Sequence, residues 1–216
     1  MKAIHKTSEP ACLTQHRAQP HSSYANLGDQ DKQKLREYLV SEQAGICCYC
    51  MGRVRADPDS MKIEHWACQH AHPDLQLAYA NLLAACMGGE GQPPKKQHCD
   101  TRKGGASLRW NPANLAHSIE ARIHYDINGA IRSDDQEFDR QLNEVLNLNL
   151  DVIKNARSGI MVVIATWWKQ EKARRKGPVP KEVIEKKLNA WEDGSSLQPH
   201  SGVAILELRR RLARAA

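Results

Sequence analysis

Between residues 31 and 44, DKQKLREYLVSEQA, the apolar positions Leu35, Tyr38 and Leu39 return every three to four residues. That period marks one face of a helix, and Gly45 is a fitting stop. From 117 to 135, HSIEARIHYDINGAIRSDD alternates instead. Its Asn128-Gly129 pair suits a tight hairpin turn, which needs residues that tolerate positive φ. Helical spacing resumes with Phe138, Leu142, Val145 and Leu146, and again with Ile153, Ile160, Val163, Ile164 and Trp167, although MVVIA at 161–165 also fits a strand. Gly177-Pro178 breaks the chain. Val183, Ile184, Leu188 and Trp191 restart a helix that Gly194, Ser195 and Ser196 end, and Ala204, Leu208 and Leu212 mark a last amphipathic helix.

Two stretches lack a period. Residues 1–28 are polar and carry Pro10 and Pro20, which predicts an extended N-terminal arm with no core to join, suited to ordering on a partner. Residues 46–105 are rich in Cys, His and Gly with only short apolar pieces, so they are expected to bury little carbon. The pattern predicts an α+β protein in three parts. These are the arm at 1–28, a small core at 29–116, and a hairpin plus helical accessory region at 117–216.

Composition changes this picture in two ways. The chain of 216 residues has 31 Lys and Arg against 25 Asp and Glu, a net charge of +6, which suits an anionic partner such as DNA but is also common in proteins that bind none. The N-terminal stretch has no apolar run of signal-peptide length, and no later run is long enough to cross a membrane, so the expected place is the cytoplasm, with no membrane partner. There, 7 cysteines are expected to be reduced, and clustered ones point to metal or catalysis. Trp167, Trp168 and Trp191 fit core positions at helical spacing, or anchors for a partner. KARRKGPVPK and RRRLAR fit solvated faces or contacts to a DNA backbone.

The thiols carry the clearest chemistry. Cys47 and Cys50 form C-x2-C, and Cys86 and Cys99 follow with twelve residues between them. A knuckle of this spacing places two sulfurs on one cation, and a second pair completes the tetrahedral thiolate shell that zinc favours. The intervening MGGEGQPPKKQH reads as a loop inserted into a second knuckle. Cys48 is a rival ligand within the first knuckle, and His98 is a rival within the second. Cys12 and Cys68 are expected to be spare. A redox C-x2-C is a further alternative, but no βαβ context surrounds it. His70 and His72 sit in a polar loop and are expected at the surface; His5, His16, His21 and His200 carry no signal.

Between the knuckles lies MKIEHW, a strand-like piece in which Glu64 and His65 are adjacent. YANLLAAC then places Asn81 ahead of Cys86, and HCDTRKGG places Asp100 and Lys103 just after Cys99. The order C-x2-C, Glu-His, Asn-Leu, Cys, Cys-Asp-x-x-Lys resembles the HNH endonuclease family, whose active site is a ββα-metal unit. The match covers 47–105. The resemblance implies a structural zinc on Cys47, Cys50, Cys86 and Cys99, and a catalytic Mg²⁺ or Mn²⁺ on Glu64 and Asp100. It also implies His65 as general base, Asn81 as the residue that fixes the loop, and Lys103, with Arg102, as positive charge for phosphate. Two positions depart from the pattern: Glu64 stands where many relatives have Asp, and Asp100 where the family name expects His. CMGGEGQPPKKQHCDTRKGG followed by WNPA, then a Y-D-x-N-G hairpin, LNLN and Arg157, make 46–157 similar, within the family, to the retron- and Septu-associated group. That similarity implies anti-phage defence beside an ABC/SMC-type, PtuA-like ATPase. The competing expectation is a zinc-knuckle nucleic-acid-binding or adaptor protein without catalysis, which needs no base beside two acids.

Overall fold

The structure is a computed structural model and describes residues 1–215. It is α+β, with two separate two-stranded antiparallel sheets among seven α-helices in the described residues. The first helices are α1 (Ala11–Arg17) and α2 (Asp29–Glu42). Leu35 and Leu39 of α2 are fully buried, as their spacing demands, but Tyr38 on the same predicted face is 46% exposed. The first ribbon pairs β1 (Met61–His65) with β2 (Leu82–Cys86), and the short α3 (Cys99–Lys103) follows it. The hairpin is β3 (His124–Tyr125) with β4 (Ile131–Arg132). Asp126 Oδ1 closes its turn by accepting from the Asn128 and Ala130 amides. Gly129 has φ +79°, and a Cβ there would lie 2.2 Å from the Lys154 carbonyl oxygen, so this turn admits only glycine.

The N-terminal segment is not an extended arm. Leu13 of α1 is fully buried, and Met1, Ile4 and Leu27 join the same core as α2 and β2. The residues before α1 run across that core, with the Ile4 amide donating to the Pro112 carbonyl at 2.9 Å. Lys6 Nζ bonds Glu42 at 2.6 Å and the Leu82 carbonyl at 2.9 Å. Four apolar anchors spaced far apart leave no periodic trace, which is why the segment reads as polar coil. Leu13→Ala is expected to lower stability by about 2–3 kcal/mol, the cost of a buried cavity; a urea unfolding midpoint equal to that of the wild type would contradict the packing.

Nor is 46–105 poor in core. Tyr49, Val54, Met61, Tyr79, Leu82 and Leu83 are buried there in one cluster with Met1, Ile4, Leu13 and Leu27 of the N-terminal segment and with residues of 119–153, while Met51 packs in a small separate cluster with Ile46 and Leu197. The core therefore runs through the expected boundary at 116: Ile119, Ile123 and Ile131 around the hairpin, and Phe138, Leu142 and Leu146 after it, belong to the first core. Phe138 lies on α4 (Gln136–Arg140), whose last turn loosens into a π-turn over Gln141–Val145.

A second core begins inside α5 (Asp151–Arg175), a helix roughly 37 Å long at 1.5 Å per residue. MVVIA lies within it and is helical. Ile153 near its start packs into the first core; Ile164 packs with α6 (Lys181–Glu192) and α7 (Ser201–Arg214). Trp191 is buried in this second core, and Trp167 and Trp168 pack against its edge. Arg53, just past the first knuckle, donates to the Leu197 carbonyl at 2.5 Å and to Ser196 Oγ at 2.9 Å, fastening the helical lobe to the knuckle. Among the described residues no helix is long and apolar enough to cross a membrane.

Candidate metal centre and adjoining ribbon end

The first knuckle is a turn closed by two backbone bonds. The Cys47 amide donates to the Gly52 carbonyl at 2.8 Å, and the Met51 amide donates to the Cys47 carbonyl at 3.0 Å. Both sulfurs thereby face Cys86, the last residue of β2, and Cys99, the first of α3. The four Sγ atoms lie within 4.8 Å of one another. Cys47 and Cys99 are 3.9 Å apart, and Cys50 and Cys86 3.7 Å. A disulfide needs about 2.05 Å, whereas a tetrahedron with metal–sulfur bonds of about 2.3 Å has an edge of about 3.8 Å. The four cysteines fit one zinc ion and could hold it.

Cys48 is outside the set. It is buried in the core, and its amide donates to the Ala84 carbonyl. His98 lies beside the cage, with Nδ1 3.1 Å from Cys99 Sγ. Cys12 and Cys68 are free and elsewhere. The loop between Cys86 and Cys99 returns on itself because the Gly88 carbonyl accepts the His98 amide; a Cβ on Gly88, at φ +59°, would stand 2.2 Å from the His98 carbonyl oxygen. Burial and the neighbouring thiols push the Cys99 thiol well above its ordinary range, while, against burial, hydrogen bonds from its neighbours hold Cys47 well below it. His200, which carries no sequence signal, places Nδ1 2.9 Å from the Cys50 carbonyl and so supports the knuckle from the residue just before α7.

The ribbon separates two chemistries. Its register pairs Met61 with Cys86 at one end and His65 with Leu82 at the other, so His65 lies about 14 Å along the strand from the sulfur end at 3.4 Å per residue. At the far end His65 is 5% exposed. Nε2 is 3.0 Å from the Gln76 carbonyl oxygen, which can only accept, so Nε2 carries the proton. Nδ1 then offers a lone pair, which takes the Gln69 side-chain amide at 3.1 Å. Tyr24 packs edge-on against the ring at 4.5 Å. Burial holds the imidazole below its ordinary pKa, leaving it neutral near pH 7. Asn81 pins the intervening loop, accepting the Ala67 amide at 2.7 Å and donating to the Ala67 and Leu75 carbonyls at 3.0 and 3.1 Å.

Glu64 points away from the His65 ring, as neighbours on a strand must. Its Oε1 receives the Tyr49 hydroxyl at 2.6 Å and the Lys103 ammonium at 2.8 Å. Asp100, in the first turn of α3, lies near enough to act on the same carboxyl. Burial first, then Asp100, push Glu64 well above the carboxylate range, while Lys103 opposes them. Lys103 corrects the expectation of a phosphate contact. Its side chain is 1% exposed, and its ammonium is spent on Glu64 and on the His65 carbonyl at 3.1 Å. Arg102 is exposed and bonds the Glu144 and Pro94 carbonyls.

Lys103 and Glu64 are therefore joined, and Asp100 is felt electrostatically by Glu64 and His65. The ring and the two carboxyls do not form a compact triad: among the described residues the cysteines are the one group of three or more ligand atoms gathered closely enough for a metal. Tyr49, Tyr24, Gln69 and Gln76 complete this end of the ribbon and are not legible in the sequence, since each acts through one bond or ring contact that leaves no local pattern. No family model matches the chain, and no curated protein matches it.

Proposed function

We propose that the protein is a metal-dependent HNH endonuclease that hydrolyses DNA phosphodiesters. In this reading it resembles PtuB, the nuclease subunit of Septu anti-phage systems, and acts beside an ABC/SMC-type ATPase. The observation that carries the reading is the state of His65: neutral, Nε2–H tethered to the Gln76 carbonyl, Nδ1 lone pair turned to a side chain on an exposed loop. That is a base held ready for a water proton. The order of strand, strand and helix, with Asn81 bracing the loop, supports the same reading.

The donors fit a hard cation. Glu64 and Asp100 are two neighbouring carboxyls that act on each other, and Asp100 is only partly buried. Mg²⁺ or Mn²⁺ held there would supply charge relief on the phosphate and on the departing 3′ oxygen. Within the chain, Gln69 must yield Nδ1 to the attacking water. Gln76 keeps the ring in the tautomer that can accept its proton. Lys103 acts indirectly by holding Glu64 in place and offsetting its charge.

The test is plasmid cleavage with Mg²⁺ or Mn²⁺, alone and with the co-purified ATPase. His65→Ala is expected to cut at least about a hundredfold more slowly, the usual loss for a positioned base, while keeping its fold. Cleavage undiminished in His65→Ala would defeat the assignment. Absence of cleavage under all these conditions is what the non-catalytic zinc-knuckle reading expects.

A further inference from the structure

Charge is unevenly distributed along this chain. Residues 165–216 hold 12 Lys and Arg against 6 Asp and Glu, so the whole net charge of +6 resides there, and residues 1–164 balance at 19 of each. These 52 positions comprise the end of α5, then α6 and α7, the lobe built on the second core. We propose that the groove between α5 and α7 in this lobe binds the phosphate backbone of duplex DNA, independently of sequence.

The groove encloses about 360 Å³ and is lined by Trp168, Lys172, Arg210, Arg211 and Arg214, with one acid, Glu207. That acid is 8% exposed and lies beneath the cations: it takes Arg210 at 2.5 Å and Arg211 at 2.6 Å, which fixes both guanidinium groups without presenting negative charge outward. Arg211 lies over the Trp168 ring at 4.4 Å, and its Nε is buried with no acceptor. Lys172 and Arg214 are exposed and form no ion pair among the described residues. Fixed guanidinium forks beside free cations suit phosphate oxygens. The Trp168 face is occupied by Arg211, so it offers no open platform for stacking unpaired bases. That favours a duplex backbone over a single strand. Arg53 and His200 hold the lobe to the knuckle, so a duplex seated in the groove is held in a fixed relation to the cage.

The choice of DNA rests on the nuclease reading. The test measures fluorescence anisotropy of a labelled 20-base-pair duplex with zinc-loaded protein, no Mg²⁺ or Mn²⁺, over a salt series. The triple variant Lys172→Gln, Arg210→Gln, Arg214→Gln is expected to bind more than about tenfold more weakly at 0.1 M salt, with the log–log salt slope flattened by about 0.9 for each phosphate no longer neutralised. A matched triple from the balanced region, Lys32→Gln, Lys34→Gln, Lys95→Gln, is expected to bind like the wild type. The inference is overturned by an unchanged slope in the groove variant, by an equal loss in the control triple, or by wild-type protein that binds phosphatidylserine vesicles and not the duplex. Wild-type protein that binds in the groove but never cuts overturns the nuclease reading alone; a groove triple that binds and cuts like the wild type overturns the groove alone.

Discussion

Cys47→Ser and Cys99→Ser are each expected to abolish the folded first core, and purified wild-type protein is expected to carry about one equivalent of zinc. Structural zinc in small domains contributes about 10–16 kcal/mol of apparent binding energy, against a total stability of about 5–15 kcal/mol for a domain. Here a metal in the cage would add bonds among three parts of the core, the knuckle after α2, the end of β2 and the start of α3, to those already made by the Cys48 amide on the Ala84 carbonyl and by Tyr49 and Lys103 on Glu64. Cys99 has φ +54°, an unfavourable conformation for a residue with a Cβ, and its amide reaches the Leu146 carbonyl. A bond from its sulfur to a metal offsets that cost, and serine would supply a weaker ligand at the same strained position. The measurements are zinc content by a colorimetric chelator and the yield of soluble, cooperatively unfolding protein. Metal-free protein with the wild-type denaturation midpoint would show that the sulfurs merely pack.

How far these features are legible in the sequence depends on whether they are local. The second helix, the hairpin turn and the C-terminal helices follow from spacing within ten or so residues, and the structure places Leu35, Gly129, Ile184 and Leu208 accordingly. The sulfur set is legible because metal-ligand chemistry restricts residue type and spacing so strongly. The N-terminal segment is not, because Met1, Ile4, Leu13 and Leu27 are isolated anchors whose partners lie on β2, the hairpin and α2. The first core's continuation past residue 116 is hidden for the same reason: long-range burial leaves no period. The direction of Lys103 is hidden too, because a lysine three residues past an acid looks solvated until a strand 38 residues earlier is seen to cover it.

The burial of Lys103 bears on the function, because a phosphate ligand and a buried counter-charge fail differently when removed. Lys103→Met is expected to cost about 3–5 kcal/mol of stability, the usual consequence of leaving one partner of a buried ion pair without the other. Glu64 would then face Asp100 with only the Tyr49 hydroxyl as donor. Glu64→Gln combined with Lys103→Met is expected to recover much of the loss, since neither charge is left buried, and the double-mutant cycle should return a coupling of about 1–3 kcal/mol. The pH dependence has a definite sign. Glu64 is raised in the folded state, so between its ordinary value of 4.5 and its folded value the folded chain binds more protons than the unfolded one. Stability without divalent ion therefore falls as pH rises through that window and is regained on acidification. Removing Lys103 raises Glu64 further, so the variant's deficit should be larger at pH 8 than at pH 5. Urea unfolding at the two pH values, with the m-value checked for constancy, decides the matter. A variant of wild-type stability that cleaves poorly, with weaker dependence on salt, would return Lys103 to the phosphate.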